Sequence, residues 1–132
     1  QFGRERVVNS CIAESAIAPG TGVVQGTAEN QVKAPGSGGS GDFIGVYPFE
    51  ANEAKAAGDS VGIELDGVAK VLAGGSVTAG KKAALKADAS GTFVNVATAA
   101  GKYATCGTFL QSGSAGEYVD MIVERGSVTV PA

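Results

Sequence analysis

The sequence predicts an all-β fold, a small antiparallel β-barrel or sandwich with at most one short helix. Its 132 residues include 21 glycines, five phenylalanines, three tyrosines and no tryptophan, a composition typical of short extended segments joined by tight turns. Apolar and polar residues alternate with the period of a strand in several short stretches. Because the length suits one hydrophobic core, we expect an extended, flexible N-terminal arm over 1–11 and a single β domain over 12–132.

One phrase recurs along the chain and marks where strands begin. In Gly58-Asp59-Ser60-Val61, a glycine is followed by a polar residue, one more residue and an apolar one. Glycine adopts positive φ without a steric penalty, the polar residue faces water, and the apolar residue begins the buried face of a strand. The copies are unevenly spaced, which argues against a solenoid of constant period. Similar phrases begin at Gly20, Gly80, Gly101 and Gly116.

The first residues, Gln1–Val8, carry apolar and cationic side chains but have little intrinsic order. They form either a frayed end or an arm that becomes ordered against a neighbouring protein. The candidate partner-binding residues of this segment are Phe2, Arg4, Arg6 and Val7.

A long, mobile Gly/Ser loop is predicted over Lys33–Asp42, because KAPGSGGSGD has no large apolar side chain to anchor its backbone. In the next segment, strand alternation places Phe43, Tyr47 and Phe49 on one face. That face is either part of the core or an interface in which aromatic side chains anchor a partner. Both alternatives stay open, so these three aromatic residues are candidate partner-binding residues as well.

Residues 50–57, EANEAKAA, are the one helix candidate, because Ala, Glu and Lys favour helices and Gly58 suits a C-terminal cap. Beyond it, Asp66-Gly67 is a two-residue hairpin signal between the predicted strands Val61–Leu65 and Val68–Leu72. Later strands are predicted at Val77, Ala83–Ala87, Thr92–Ala97, Ala104–Leu110 and Tyr118–Glu124, with turns at 73–75 and 88–91.

Charge and composition argue against several functions. The net charge is −3 and the ten Lys and Arg are scattered, so no basic face is expected for nucleic-acid phosphates. No apolar run is long enough to span a bilayer. The chain has no histidine, which removes the usual general base and the commonest metal ligand. We therefore expect no enzyme activity and no catalytic residues, metal, cofactor or small-molecule substrate.

Cys11 and Cys106 are the only cysteines of the chain. They form either one disulfide or none. Two small, buried thiols in a reducing compartment are the favoured alternative.

Six phrases follow one another in the order Ala16–Val23, Ile44–Val46, Ala56–Ile63, Gly67–Val71, Val77–Gly80 and Ser114–Met121. In this order and spacing they resemble the capsid cement, or head decoration, proteins of tailed bacteriophages. The resemblance covers about residues 12–125. The N-terminal segment and the Gly/Ser loop have no counterpart in it.

The resemblance implies a structural virion protein without a catalytic site. Such a protein binds the outer surface of the expanded capsid and bridges neighbouring major capsid protein subunits, as a homo-oligomer for which a trimer is favoured over a dimer. It is made in the cytoplasm of the bacterial host. The competing hypothesis is a secreted or surface-displayed β-rich binding module, for which a disulfide between Cys11 and Cys106 would be expected.

Overall fold

The computed structural model of the chain describes residues 6–36, 41–49 and 53–131, with the backbone alone for residues 6–10. The predicted all-β class is confirmed, and no α-helix occurs in these described ranges. None of their segments is a helix long and apolar enough to cross a membrane. The described residues form nine strands, which are β1 Arg6–Ala13, β2 Gly22–Gln25, β3 Gln31–Lys33, β4 Phe43–Val46, β5 Ser60–Leu72, β6 Lys82–Leu85, β7 Phe93–Asn95, β8 Gly101–Phe109 and β9 Tyr118–Val130.

The first half of the chain forms a closed five-stranded barrel. Its strands follow the order β1-β3-β2-β4-β5, and a pairing between β5 and β1 closes the ring. All neighbours are antiparallel except β1 and β3, which run parallel. Closure leaves this barrel without a free sheet edge along its paired segments.

The second half continues the same sheet in the order β5-β9-β8-β6-β7. Its ends approach one another where Ala73, directly after β5, forms a parallel bridge with Phe93 of β7. The Gly74 amide donates to the Phe93 carbonyl across this junction at 2.8 Å. The long strand β5 therefore belongs to two ring-like arrangements, the first closed by a ladder and the second by a single bridge.

The two halves repeat one another in their hydrogen bonds. The Gly20 amide donates to the Tyr47 carbonyl at 2.7 Å, and the Gly80 amide donates to the Phe109 carbonyl at the same distance. The chain is thus two copies of one five-stranded unit that share β5, a duplication that the recurring glycine phrases reflect. The bridge between Ile17 and Lys55 in the first unit is equivalent to the bridge between Val77 and Gly113 in the second. The hydrogen bond from the Ala13 amide to the Asp59 carbonyl is likewise equivalent to the one from the Ala73 amide to the Glu117 carbonyl.

The predicted hairpin at Asp66-Gly67 is wrong, because β5 runs through it as one continuous strand. Asp66 is the last residue of β5 to pair with β1, at Arg6, and Gly67 is the first to pair with β9, at Val123. Gly67 has a φ of 93°, a conformation that glycine adopts without a steric penalty. A two-residue turn signal therefore marks the point at which one strand passes from the first unit to the second.

The helix candidate is not helical where it is described, since Lys55 forms an antiparallel bridge with Ile17; residues 50–52 lie outside the described residues. The bridge between Lys55 and Ile17, which is part of the first unit, outweighs the helix preference of Ala, Glu and Lys in this segment. Of the predicted Gly/Ser loop, residues 37–40 also lie outside the described part of the chain.

Two buried clusters fill the two units and meet at aromatic side chains. Phe43 of the first unit packs against the second cluster, where its ring meets that of Phe93 edge-on with centroids 6.1 Å apart. Both thiols are free and buried, Cys11 in the first cluster and Cys106 in the second, in agreement with the favoured alternative. The first cluster includes Ile17, Val23, Tyr47, Val61 and Ile63, and the second Val71, Phe93, Phe109, Val119 and Met121.

Candidate functional site

The three aromatic residues proposed for one interface lie in different environments. Tyr47 is buried, and its hydroxyl donates to the Glu53 carbonyl at 2.8 Å, which is the core role that one alternative anticipated. Phe43 is half-buried against the second cluster. Phe49 is half-buried, and its ring lies 4.4 Å from the ring of Tyr118, which is exposed. Of the three, Phe49 is the one that borders an exposed apolar side chain.

The N-terminal candidates divide at residue 6. Phe2 and Arg4 lie outside the described residues. Arg6 and Val7 belong to β1, where their backbones pair with Asp66 and Glu64 of β5. Residues 6–11 of the predicted arm therefore lie within a barrel strand, and a function as an extended arm stays a prediction for residues 1–5.

An exposed apolar surface covers the outer side of the pairing between β5 and β9. Val68 is 44% exposed, Tyr118 40% and Ile122 39%, whereas the alternate residues of both strands point into the core. We call this surface the outer face. It consists of Val68, Lys70 and Leu72 from β5 and Tyr118, Asp120 and Ile122 from β9, and Leu110, which is 45% exposed, lies beside it.

An ion pair lies in the centre of the outer face. Lys70 Nζ is 3.3 Å from Asp120 Oδ1, and both side chains are more than a third exposed. A solvated pair of this kind stabilises a monomer by less than about 1 kcal/mol. A partner that packs on the outer face would need groups complementary to the charges of Lys70 and Asp120.

The equivalent surface of the first unit has a mixed composition. The hydrogen-bond equivalence of the units, with Gly58 matching Gly116, places Ser60 where the second unit has Tyr118, and the buried Glu64 where it has Ile122. Opposite Ser60, β1 carries the apolar Ile12. The two units therefore differ on the side of this surface that β9 supplies in the second unit.

Sequence reasoning missed this face. The usual signal for a half-buried strand is apolar residues on one phase only, and in YVDMIV, residues 118–123, both phases are largely apolar. The apolar residues Tyr118 and Ile122, which lie on the outward-facing phase of this strand, are the sequence signal that could have identified the face.

Two surface clefts occur among the described residues. The first, of about 500 Å³, is bordered by Lys81, Lys82, Val128 and Val130. A second, of about 390 Å³, lies between the units beside Phe43 and Arg125. Within the described ranges no group of three or more His, Cys, Asp or Glu is placed to hold a metal ion.

The two thiols are expected to be chemically inert in the folded protein. Burial raises the pKa of Cys106 to about 12 and also raises that of Cys11 above its ordinary value of 9.0. Because the thiolate is the reactive form, only about one Cys106 in ten thousand is reactive near pH 8. We expect an alkylating reagent to label Cys106 in urea but not under native conditions, as measured by mass spectrometry. Rapid native labelling of Cys106 would contradict this result.

The same pKa shift predicts a loss of stability in alkali. The folded state keeps the Cys106 proton up to about pH 12, whereas the unfolded chain loses it near 9.0. The unfolded state therefore binds fewer protons in this window, and the free energy of unfolding falls as the pH rises through it. In urea titrations, Cys106→Ala should show a shallower decline over this window than the parent; equal slopes would contradict the assignment.

Comparison with known proteins supplies two findings. The profile of a family described as structural cement protein (E217 gp24/Pam3 gp6) matches residues 2–123. The crystal structure of the head fiber gp8.5 N base of bacteriophage phi29 matches with a TM-score of 0.57 and 14% sequence identity, covering 94% of this chain and 96% of that one. At this identity the second match concerns the fold alone. No curated protein matches the chain.

Proposed function

Because the chain belongs to the family of phage structural cement proteins, and so has a structural role associated with the capsid, we propose that it binds the outer surface of the expanded capsid and bridges neighbouring major capsid protein subunits. The observation that carries this proposal is the family match over residues 2–123. The proposal includes a location on the outside of the virion, synthesis in the cytoplasm of the bacterial host, and no enzymatic activity.

The architecture suits a protein that stabilises a shell. The continuous strand β5 joins the two barrel units, and the edge-on contact between Phe43 and Phe93 also links them. We expect these two connections to resist bending of one unit relative to the other. A rigid connector transmits force between the subunits that it contacts. Modest contacts repeated over a capsid, with each oligomer engaging two or three subunits, produce high avidity without any single tight interface.

We assign the capsid contact first to the N-terminal segment, residues 1–5. β1 begins at Arg6 in the barrel, so this segment directly precedes a strand that is paired with β5. Arg4 provides a charge that can pair with a capsid carboxylate, and Phe2 an apolar anchor. Addition of the segment to an exposed capsid strand needs little sequence specificity, because main-chain hydrogen bonds supply the affinity.

The experiment that tests this function is sedimentation of the native source on a density gradient, followed by peptide mass spectrometry. We expect the chain to travel with megadalton particles in a constant ratio to a major capsid protein. Recovery of the chain only as a small species would overturn the proposal and favour the secreted or surface-displayed binding module.

Removal of residues 1–5 is expected to weaken binding to cement-free capsids at least about tenfold, because the arm contacts are lost while β1 keeps its pairing with β5. Co-sedimentation with capsids measures this binding. Arg4→Ala should show part of the effect and Arg125→Ala, on the barrel, none. Unchanged affinity of the truncated chain would remove the segment from the mechanism.

A further inference from the structure

We propose that the free edge of β9 at residues 126–130, together with the cleft beside it, binds an extended segment of a different protein by strand addition. The segment is apolar at alternate positions and carries carboxylates at its ends. This inference goes beyond the capsid contact of residues 1–5 and does not depend on it.

Strand β9 continues past the second barrel unit. Its pairing with β5 ends at Val123, and the next two residues, Glu124 and Arg125, lie opposite Cys106 alone. A bulge of this kind bends the strand that contains it. Within the ranges that the structure describes, residues 126–130 then pair with β8 on one side and with no strand on the other. The main-chain groups of that second side form the free edge.

The free edge lacks the features that usually protect an edge strand against association. Residues 126–130, GSVTV, contain no charged residue and no proline, which are two common means of blocking an exposed edge. Val and Thr favour extended backbone. Pro131, which cannot donate to a ladder, limits the edge to these residues. Such an edge is suited to accept a further strand.

The strand β5 shows how a continuation of this kind is covered. After it leaves the first unit, β5 pairs with β9 over residues 67–72, and its alternate residues Ala69 and Val71 are only 2% and 0% exposed. Val128 and Val130 alternate in the same way on β9 but are half-buried. The continuation of β9 therefore has the apolar pattern of a covered strand and a less complete cover in the described part of the chain.

The cleft beside the edge determines the chemistry of the segment. It has a volume of about 500 Å³ and combines the apolar residues Val96, Val128 and Val130 with the ammonium groups of Lys81 and Lys82. Both lysines are exposed, and none of the described residues that line the cleft is acidic. A segment with apolar side chains along its length and carboxylates at its ends complements both parts of this lining.

Hydrogen bonds connect the walls of the cleft before any segment binds. The Val96 amide donates to the Lys82 carbonyl at 3.0 Å. Tyr103 of β8 lies directly opposite Val128, and its hydroxyl donates to the Ala99 carbonyl at 2.9 Å. Because these elements already hold one another in place, binding requires little additional ordering of the protein.

A second copy of this chain is a poor source of the segment. Stretches of its described residues in which apolar side chains and carboxylates lie together, such as 63–66 and 118–123, are already paired within its own sheet as parts of β5 and β9. Releasing one of them would open a barrel unit. We therefore assign the segment to a different protein.

The first test uses a fluorescent synthetic peptide of alternating Val and Thr with Glu at each end. It is titrated with the full chain and followed by fluorescence anisotropy, and we expect saturable binding at micromolar concentrations. The same peptide with Lys at each end should bind at least about tenfold more weakly because its charges oppose those of the cleft. A form with methylated amide nitrogens, which cannot donate to a strand, should lose at least as much affinity.

The second test uses variants of the protein. Lys82→Glu should weaken binding of the Glu-ended peptide at least about tenfold. The matched control is Lys86→Glu, at an exposed lysine that does not line the cleft, and it should leave the affinity unchanged. Circular dichroism checks that both variants fold.

Hydrogen exchange measured by mass spectrometry locates the pairing. Bound peptide should slow the exchange of backbone amides in residues 126–130. Exchange in residues 118–123, which are already paired with β5, should not change.

Four outcomes would overturn the proposal. They are no binding of the Glu-ended peptide at about 1 mM, equal affinity for the methylated peptide, equal affinity of Lys82→Glu and the parent, and a complex without protection of residues 126–130. Equal affinity for the methylated peptide would assign the cleft to an amphipathic anion. Protection of the edge that rises with the concentration of the parent chain alone would assign it to a second copy and would also overturn the proposal. None of these outcomes alters the expected co-sedimentation with capsids, so failure of this inference and failure of the proposed function can be told apart.

Discussion

Gly107→Ala is expected to destabilise the protein by at least about 3 kcal/mol, at the upper end of the cost of overpacking. A Cβ at this position would collide with the Ile122 carbonyl oxygen and lie 2.9 Å from the Ile122 carbonyl carbon. The obstacle is backbone of the paired strand, so relief requires β8 and β9 to separate. Because domains of this size have only about 5–15 kcal/mol of stability, a large part of the total is at risk.

Urea denaturation followed by circular dichroism measures this effect. The matched control is Gly75→Ala, where the nearest atom to the added Cβ is Val94 Cγ1 at 3.6 Å, an ordinary contact. We expect the control to stay within about 0.5 kcal/mol of the parent. Equal midpoints for the two variants would show that β8 and β9 accommodate the methyl group and would refute the close-approach argument.

Phe93→Ala is expected to cost about 3–5 kcal/mol, the range for truncating a buried phenylalanine. Phe93 is fully buried and contacts Phe43 of the first unit edge-on. Its ring also packs directly on β2, since a Cβ added at Gly22 would lie 2.8 Å from Phe93 Cζ. Truncation therefore leaves a cavity at the junction of the two units and weakens both of them.

The cost of Phe93→Ala is measured by the same denaturation, with Val94→Ala as the control. Val94 is the next residue of β7 and is half-buried, so its truncation should cost clearly less. A single shared transition is expected in the parent because β5 and the Phe93 contact couple the units. A loss below about 1 kcal/mol for Phe93→Ala would contradict a junction role for its ring.

A comparison of Gly45 with Gly107 shows how far the duplication extends. An added Cβ at Gly45 would collide with the Glu64 carbonyl, just as one at Gly107 would collide with that of Ile122. Both glycines lie two residues before an aromatic residue that closes the same turn, Tyr47 or Phe109. The close approach of two strands has thus been kept in both units, although the side chains around it differ.

Much of the fold could be predicted from local pattern. The glycine phrases and strand alternation predict an all-β chain, and most strands of the second unit are found close to their expected positions. Turn chemistry and period-2 patterning are local properties, so a single sequence displays them. The free, buried state of Cys11 and Cys106 agrees with the alternative favoured from composition.

Only the tertiary structure decided the remaining features, because they depend on which segments meet. Asp66-Gly67 has the composition of a hairpin turn, yet pairing with β1 on one side and β9 on the other makes it a passage between units. Tyr47 and Phe49 share one strand phase in the sequence, and the packing of Tyr47 in the core and of Phe49 against Tyr118 separates their roles.

The outer face follows the same rule. The sequence by itself determined a mildly acidic, glycine-rich β chain with the family's phrases in order. The alignment of Val68, Lys70 and Leu72 with Ile122, Asp120 and Tyr118 required the register of two strands about 50 residues apart. Cross-strand register is set by the summed pairing of whole strands and not by local preference. A surface made of two distant strands is therefore visible only after the sheet has formed.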